Sequence, residues 1–569
     1  MEAAQTFEEL CLNAAERFVQ SAIVVDNDSG FGPEEDRSPK VANAKLPPGS
    51  LPTAVGNEVN ADEAGISDSA MDTHYLDFKA LGEAFLDRKI VCGTYRPTSD
   101  DDMVDTTCKA ASTADIAVID WHLEGNGGGS LKAKEIITAI LNSDKAAGPR
   151  LRLIAVYTAQ QGLVDLATEL KEYLEGEGIH DVSQDNGSSV LVSRHLRIAF
   201  FNKQATMAHV EGDPIAEERE LPGLLLKEYA KLAKGILPST AMSAIADIRK
   251  ATPHLLTIFH SDLDGAYVGH RAMIPVSEDS EAFLRRLITE EVDAAIEGSG
   301  TVPHFAGEQA IEHWLDFSTN EENLFKDNDG NTCSVDAMKA ILTCSSENPI
   351  KHNENFSNAI TAGFGKIAPG IKKEFAQVFY DDGDEQTFLR EFSRLCDLKR
   401  EATPRTLTEN SSLPILSLGT IVRPLPADGQ GTLPSGVDQG ELLLCVQPRC
   451  DSVRLAKGLD RNFPFLKLRP NQSRFHLVCC VDNQQQTYEV ITSPYSMLMM
   501  PFSPAEEAKP KIEATPSQEN FVFTDSKGAC YEWVAEMKEL QAQHFVSLLG
   551  SKATRVGIDW HEWILRKNP

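Results

Sequence analysis

Residues 115–123, Asp-Ile-Ala-Val-Ile-Asp-Trp-His-Leu, decide the fold of the amino-terminal part of this chain. The apolar run from Ile116 to Ile119 has the length and the β-branched content of a strand that is buried on both faces. The run ends in Asp120, and glycines follow at positions 125, 127, 128 and 129. This pattern is typical of a parallel strand that carries a carboxylate to the carboxyl edge of an open α/β sheet, where ligands and reactive groups gather.

Strand-like and helix-like segments alternate around this stretch. Further strands are predicted over residues 21–28, 90–95, 151–157 and 196–201, and helices over 7–18, 75–88, 101–111, 131–141, 164–174 and 224–232. The alternation predicts an α/β doubly wound parallel sheet for residues 1–237. Residues 29–74 interrupt it with a composition rich in Gly, Pro, Asp and Asn, and we interpret them as an insertion. Residues 188–193 are a candidate extra strand.

Two regions with different sequence patterns follow residue 237. Apolar residues at helical spacing predict a mostly α-helical domain over residues 238–402. After a polar linker at 403–414, short apolar runs at 415–422, 441–447, 475–481 and 487–491 predict a β-rich α+β domain over 403–569. This domain is expected to end in a helix over 531–549 and a second one capped by Asp559, with Glu562 three residues on. A chain of 569 residues is long enough for about three such domains.

Charge and composition exclude several classes of protein. A formal net charge of −31 argues against a general binder of nucleic acid or of anionic membranes, because both need clustered Lys and Arg. No apolar run approaches the roughly 18 residues of a membrane-spanning helix, and residues 1–20 lack a signal-peptide core. The 11 cysteines, an odd number, fit reduced thiols better than a disulfide framework. The sequence therefore predicts a cytoplasmic protein.

Polar side chains stand at the carboxyl ends of four predicted parallel strands. They are Asp26 and Asp28 after the first strand, Asp120 after the third, Thr158 after the fourth and Lys203 after the fifth. Because parallel strands bring their carboxyl ends to one edge of the sheet, these side chains are expected to converge. Three carboxylates, a hydroxyl and an ammonium group together suit acyl-phosphate chemistry.

Each of these residue types has a physical role in such chemistry. Mg²⁺ prefers oxygen ligands, which Asp26, Asp28 and Asp120 would supply. Asp120 is the candidate nucleophile, because a carboxylate can accept a phosphoryl group. Mg²⁺ and Lys203 would neutralise charge on the group in transfer, and Thr158 would donate a hydrogen bond to one of its oxygens.

The acidic pair, the central Asp, the Thr and the Lys, in this order, resemble the response-regulator receiver domain, the CheY-like phosphoacceptor of two-component signalling. The resemblance covers roughly residues 15–237. It implies that a sensor histidine kinase phosphorylates Asp120 and that the backbone of His122 is a further Mg²⁺ ligand. It also implies that Phe200, three residues before Lys203, is the aromatic residue that rotates with the Thr hydroxyl.

The sequence departs from the receiver pattern at several positions. Asn27 separates two acids that receivers usually place side by side, which leaves the identity of the metal ligands open. Gln204 stands where receivers usually have Pro, and Trp121 is bulkier than the usual neighbour of the phosphoacceptor.

Three other interpretations remain. Each candidate residue by itself could be a solvated charge or a helix cap at the end of a strand. Asp26-Asn27-Asp28 also fits the Asp-x-Asp motif of haloacid-dehalogenase-like phosphatases, in which Asp26 would be the nucleophile. However, Ser29, Gly30 and Phe31 depart from the residues that such enzymes favour after the motif. A receiver-like scaffold or adaptor that never takes phosphate is the third.

Beyond the receiver, the chain resembles receiver-bearing proteins of Detocs-type bacterial phage-defence systems. The residues behind this resemblance are 447–454 and 555–563. In such systems a sensor histidine kinase phosphorylates receiver proteins, of which one carries a toxic effector and another acts as a phosphate buffer. No nucleosidase, nuclease or membrane effector signature follows residue 238. The resemblance therefore implies a buffer or regulator with no enzymatic activity beyond its own phosphorylation and dephosphorylation, and a receiver-bearing effector as a possible partner.

One further cluster in the sequence could bind metal. Cys445, Cys450, His476, Cys479 and Cys480 are zinc-type ligands, but they lack the tight Cys-x-x-Cys spacing of zinc sites. Buried free thiols on strands are expected instead.

Overall fold

The computed structural model describes most of the two ends of the chain and part of its middle. The described residues are 6–30, 76–98, 102–123, 129–203, 212–274, 279–318, 325–326, 332–333, 339, 342, 385–402, 412–426, 433–453, 455–472, 475–482, 484–505, 510–517 and 520–554. They divide into two compact units. The first contains the described residues within 1–260, 288–324 and 334–363, and the second contains those within 261–287, 325–333 and 364–569.

An α/β sheet with helices on both faces forms the first part of the first unit. Its helices are α1 (Phe7–Phe18), α2 (Phe78–Asp87), α3 (Met103–Ala111), α4 (Leu131–Ala147), α5 (Leu163–Gly176) and α6 (Leu221–Leu232). Its strands are β1 (Ser21–Val25), β4 (Val91–Tyr95), β5 (Ile116–Ile119), β6 (Arg152–Thr158), β7 (Ser183–Gln184), β8 (Val190–Val192), β9 (Leu196–Lys203) and β10 (Ile215–Ala216), while β2 (Ser29–Gly30) and β3 (Leu76–Asp77) form a separate two-stranded sheet.

The strand order of the main sheet is β4-β1-β5-β6-β9-β8-β7, and β10 pairs with β9. The first five strands in this order are parallel, whereas β7 and β8 form an antiparallel extension at the edge. β8 lies within residues 188–193, where an extra strand was a candidate. Because it is antiparallel and precedes β9, Lys203 remains at the end of the fifth parallel strand.

Alternate residues of the central strands build two separate cores. Val24 and Val118 face the core that α1, α2 and α6 cover, and Val25 and Ile119 face the core under α4 and α5. A strand that is buried on both faces has no polar side, which explains the continuous apolar run in the sequence.

Further helices join the first unit on the α1 side. The helices after α6 are α7 (Ile236–Ile258), α8 (Asp264–Met273), α9 (Asp279–Ser299), α10 (Thr301–Ala306) and α11 (Glu308–Ser318). Of these, α8 and the part of α9 up to Leu287 belong to the second unit, and the rest belongs to the first. Met242 of α7, Phe305 of α10 and Ala310 of α11 pack into the same core as α1. Arg17 of α1 binds Asp247 of α7 at 2.5 Å and Thr301 at 3.2 Å.

The second unit is dominated by an antiparallel sheet. After β11 (Phe325–Lys326) and β12 (Thr332–Cys333), its elements are α12 (Glu385–Asp397), β13 (Leu398–Glu401), β14 (Thr420–Pro424), β15 (Leu442–Cys445), α13 (Arg449–Ser452), β16 (Arg461–Pro470), β17 (Leu477–Val481), β18 (Gln484–Ile491), β19 (Leu498–Phe502), β20 (Thr515–Ser517), β21 (Asn520–Thr524), β22 (Cys530–Met537) and α14 (Glu539–Ala553). The main path runs β17-β18-β16-β15-β14-β22-β21-β20. One of its two cores includes α14, and the other is rich in aromatic residues.

The predicted fold class is confirmed: a parallel α/β sheet, then helices, then an antiparallel β-rich region. The domain boundaries at 237 and 402 stay predictions. The helix predicted over 531–549 is wrong before residue 538, where the chain forms strand β22. Tyr531 and Trp533 face one core while Val534 and Met537 face the other, so this strand lacks the alternation that marks a half-buried strand.

Parts of several predictions lie outside the described residues. They are residues 31–74 of the insertion, 403–411 of the linker, Gln204, Arg454 and the segment 555–569. Among the described helices, none combines the length and apolarity that crossing a bilayer requires.

Candidate functional site

Four parallel strands deliver the candidate residues to the carboxyl edge of the first sheet. Asp26 and Asp120 directly follow β1 and β5, and their amides still bond to the neighbouring strands, to Tyr95 O at 3.1 Å and to Val25 O at 2.9 Å. Thr158 and Lys203 are the last residues of β6 and β9. The backbone of each is therefore fixed by the sheet.

Lys203 joins the two central carboxylates. Its Nζ lies 2.6 Å from Asp26 Oδ2 and 3.0 Å from Asp120 Oδ1. The exposed fraction is 1% for Asp26, 6% for Asp120 and 2% for Lys203. The structure thus places one ammonium between two buried carboxylates.

Burial and mutual charge shift the protonation of this cluster. Burial raises the pKa of Asp26 above its ordinary value, Lys203 opposes that rise, and the charge of Asp120 adds to it. Burial alone would lower the pKa of Lys203, but the charges of Asp120 and Asp26 outweigh it and hold that pKa above its usual range. The ammonium is therefore charged, and the two carboxylates compete for it.

The second oxygen of each carboxylate accepts a backbone amide two residues further on. Asp26 Oδ1 accepts from Asp28 N at 2.8 Å, and Asp120 Oδ2 accepts from His122 N at 3.0 Å. The Ser29 hydroxyl donates to the Asp26 carbonyl at 2.8 Å, which closes the turn after β1. These bonds fix the orientation of both carboxylates before any ligand binds.

Asp28 does not join the cluster formed by Lys203. Its side chain is half-buried, and within the described part of the chain its carboxylate has no hydrogen-bond or ion-pair partner. In the same part of the chain, no group of three His, Cys, Asp or Glu side chains lies close enough to hold a metal ion. Asp26, Asp28 and Asp120 nevertheless supply the hard oxygen donors that Mg²⁺ prefers, and the carboxylate of Asp28 is uncommitted. Their roles as metal ligands stay predictions.

Thr158 lies fully buried at the end of β6, and other side chains hold the loop that follows it. Its Oγ accepts from the Gln160 amide at 3.2 Å, and Asn202 Nδ2 donates to the carbonyls of Thr158 at 3.3 Å and Gln160 at 2.6 Å. Gln160 Oε1 is in turn 2.6 Å from His122 Nε2. The loop after β6 is thus tied both to β9 and to the residue two positions after Asp120.

Sequence reasoning missed Gln160 and Asn202 as site residues. A signal for Asn202 exists, because it is a polar residue within the apolar run that ends at Lys203. Gln160 shows no such signal, since its bond with His122 depends on how two loops meet. The side chain of His122 therefore has a contact here, whereas only its backbone was predicted to act.

The aromatic residues next to the site are completely buried. Trp121 and Phe200 are each 1% exposed, and their rings meet edge to face at 5.7 Å. Trp121 therefore lies in the core under α4 and α5 rather than over the carboxylates. Whether Phe200 rotates with the hydroxyl of Thr158 stays a prediction.

The predicted thiols of the second unit are free. Cys445 and Cys479 are buried on strands, as expected, whereas Cys480 is half-buried and Cys450 is exposed. Burial raises the pKa of Cys445 to about 12, so this thiol is inert at neutral pH.

The first sheet and its Asp–Lys–Asp cluster define an open α/β domain with buried carboxylates at the carboxyl edge. Residues 18–208 match a family model described as "Response receiver domain". The match covers about a third of the chain and includes Asp26, Asp28, Asp120, Thr158 and Lys203. No curated protein and no solved structure matches the chain. The protein therefore carries a receiver domain at residues 18–208.

Proposed function

We propose that this protein accepts a phosphoryl group on Asp120 from a sensor histidine kinase, in a pathway built like a two-component system. The observation that carries the proposal is the buried cluster in which Lys203 bonds both Asp26 and Asp120. Two carboxylates share one ammonium there, so the cluster has an excess of negative charge. Such an excess suits a site that takes up a cation together with a phosphoryl group.

In the proposed transfer, a carboxylate oxygen of Asp120 attacks the phosphorus of a phosphohistidine. The new P–O bond forms as the P–N bond breaks, and the electron pair of the broken bond returns to the imidazole nitrogen. Lys203 remains beside the nucleophile and offsets the charge of the transferring group. Thr158 can donate its hydroxyl hydrogen to a phosphoryl oxygen while its Oγ still accepts from the Gln160 amide.

We also propose that Asp26, Asp28 and Asp120, with the backbone carbonyl of His122, hold Mg²⁺. When bound, the ion would neutralise charge on the phosphoryl group. The donors that support this are oxygen atoms only, and the carboxylate of Asp28 is uncommitted within the described residues. The hydrogen bonds do not separate Asp26 from Asp120 as the nucleophile, because both oxygens of each carboxylate accept one.

Within its pathway, we propose that the protein is a phosphate buffer or regulator in anti-phage defence, with a receiver-bearing effector as partner. On this proposal it has no enzymatic turnover beyond the formation and loss of its own aspartyl-phosphate. The support comes from sequence: the resemblance over 447–454 and 555–563, and the lack of a recognisable effector motif after residue 238.

The proposed acceptor is tested by intact mass after incubation of the full chain with acetyl phosphate and Mg²⁺, and then with the cognate kinase. Wild type should gain one phosphoryl group, and Asp120→Asn should gain none. Asp115→Asn, at the other end of the same strand, is the matched control and should gain as wild type does. A gain that persists in Asp120→Asn would overturn the proposal, and no gain on wild type with either donor would favour the scaffold.

The buffer role has its own test. Phosphorylated and unphosphorylated full-length protein are compared for toxicity on induction and for hydrolytic activity on nucleotides and nucleic acids. The proposal expects no output in either state. A toxic or enzymatic output that appears only after phosphorylation would overturn the buffer role but leave Asp120 as the acceptor.

A further inference from the structure

Helix α12 of the second unit carries its apolar side chains outward. Phe388, Leu389, Phe392 and Leu395 form one stripe at positions i, i+1, i+4 and i+7, and their exposed fractions are 52%, 38%, 49% and 62%. We call these four residues the α12 stripe. A helix that packs on a sheet usually buries its apolar side chains, whereas α12 exposes them to solvent.

The polar side of the helix makes the contacts within the unit. Arg394 forms an ion pair with Glu401 of β13, and the Ser393 hydroxyl donates to Asp397 at 3.1 Å. Glu401 also accepts from the amide of Cys480 in β17 at 3.3 Å, which ties this polar side to the sheet. Within the described residues, the Arg394–Glu401 ion pair thus links the polar side of α12 to the sheet, while the apolar stripe stays exposed.

Single exposed apolar residues are common, but a contiguous stripe of two phenylalanines and two leucines marks a binding surface. We propose that the α12 stripe is the docking site of residues 559–566 of the same chain. This segment lies outside the described residues.

The sequence of that segment fits the stripe. Asp559 and Glu562 have the spacing of a capping box, which predicts the start of a helix. Trp560, Trp563 and Ile564 follow at helical spacing, so they would lie on one face of that helix. Two of the five tryptophans of the chain therefore fall within four residues, and each ring can bury about 150–250 Å².

The segment is also within reach. At the start of α14, Lys538 donates its amide to Asp397 O at 2.7 Å and its Nζ to Leu395 O at 2.6 Å, so α14 begins beside the stripe. α14 has 15 residues and is about 22 Å long, which bounds the distance from its end back to the stripe. Residues 554–558 span up to about 17 Å when extended, and Trp563 lies about 6 Å further along a helix that begins at Asp559. Together these lengths match that of α14, so Trp563 can reach the Leu395 end of the stripe.

A second copy of the chain is the weaker candidate for the occupant. A stable interface between copies buries about 800 Å² on each partner, and four half-exposed side chains of at most about 200 Å² each provide well under that. A short helix with two tryptophans needs only a surface of the size of the stripe.

Hydrogen exchange of the full chain, read by mass spectrometry, tests the proposal. Amides of residues 560–566 should exchange at least about tenfold more slowly in wild type than in the double variant Phe388→Ser, Phe392→Ser. Leu540→Ser, which changes an 81% exposed leucine of α14, is the matched control and should keep the wild-type protection. Unprotected exchange of 560–566 in wild type would overturn the proposal.

A second measurement leaves the stripe intact, in case the double variant does not fold. In a chain that ends at Thr554, the amides of α12 should exchange faster than in wild type. A peptide of residues 555–569 should restore the slower exchange, whereas the same peptide with Trp560→Ala and Trp563→Ala should not. Protection in wild type that depends on protein concentration, together with the mass of a dimer, would overturn the intrachain contact in favour of a second copy.

Discussion

The two edges of the first sheet both bury charged side chains, but they balance them differently. At the amino edge, Arg152 gives Nε and Nη2 to the two oxygens of Asp144, each at 2.7 Å. Its Nη1 donates to the carbonyls of Ala111 at 2.8 Å and Ala114 at 3.1 Å. At the carboxyl edge, Lys203 has to serve two carboxylates at once. Among the described residues, the first arrangement is matched one to one, whereas the second has two carboxylates for one ammonium.

Asp115 shows the same balance at the amino edge. Its Oδ2 accepts from the amides of Gln20 at 2.9 Å and Ser21 at 3.2 Å, and Arg249 of α7 lies 3.6 Å from Oδ1. Asp115 and Asp120 are thus buried acids at the two ends of the same strand. Asp115 is surrounded by hydrogen-bond donors, whereas Asp120 shares the Lys203 ammonium with Asp26. Burial alone therefore does not distinguish these two carboxylates; the local balance of charge does.

The largest effect is expected when Lys203, which bonds both carboxylates of the cluster, is replaced. Lys203→Met should slow loading of Asp120 by acetyl phosphate at least about a hundredfold, because the ammonium beside Asp120 would no longer offset the charge of the transferring group. The measurement is the rate of mass gain at fixed Mg²⁺. Lys134→Met, which removes a partly buried lysine paired with Glu169, is the control and should load at the wild-type rate. An equal loss of loading rate in Lys203→Met and Lys134→Met would contradict a specific role for Lys203.

A substitution at the amino edge should lower the free energy of unfolding without changing the rate at which Asp120 is phosphorylated. Arg152→Met leaves Asp144 without its bidentate partner and two carbonyls without a donor, so the free energy of unfolding should fall by about 3 kcal/mol. Denaturant unfolding measures that loss. The folded variant should still load Asp120 at the wild-type rate, and a comparable loss of loading would mean that the two edges do not act separately.

The smallest expected effect is a dependence of the free energy of unfolding on pH. The pKa of Asp26 in the folded protein lies above its ordinary value of 3.8, so the folded state keeps a proton that the unfolded state releases. The free energy of unfolding should therefore fall as the pH rises from about 4 through that raised pKa. Asp26→Asn should lack this fall and be more stable than wild type at neutral pH, by on the order of 1 kcal/mol.

Denaturant unfolding of both proteins at several pH values checks this last prediction. The difference between the two curves reports Asp26 together with its coupling to Asp120 and Lys203. A difference that grows in the opposite direction, with wild type gaining stability as the pH rises, would mean that Lys203 dominates over burial at Asp26.

Much of the fold and the outline of the site could be predicted, for a physical reason. Strands buried on both faces leave long apolar runs, as at Ile116–Ile119, and parallel strands must bring their carboxyl ends together. Asp26, Asp120 and Lys203 could therefore be placed at one edge without any knowledge of register.

What could not be predicted depends on side-chain partners across the fold. Whether Lys203 prefers Asp26, Asp120 or both is decided within a few tenths of an ångström, and the sequence contains no such information. The ties from Asn202 to the loop of Gln160 arise from strand register. Asp28 has the same residue type and nearly the same position as Asp26, yet only Asp26 contacts the lysine.

The most direct test of the account is to locate the phosphoryl group chemically. Protein loaded with acetyl phosphate and Mg²⁺ is reduced with borohydride, which converts an aspartyl-phosphate to homoserine, and the modified peptide is then identified by mass. The account predicts homoserine at position 120 alone. Homoserine at position 26, or no modified aspartate in protein that has gained phosphoryl mass, would contradict it.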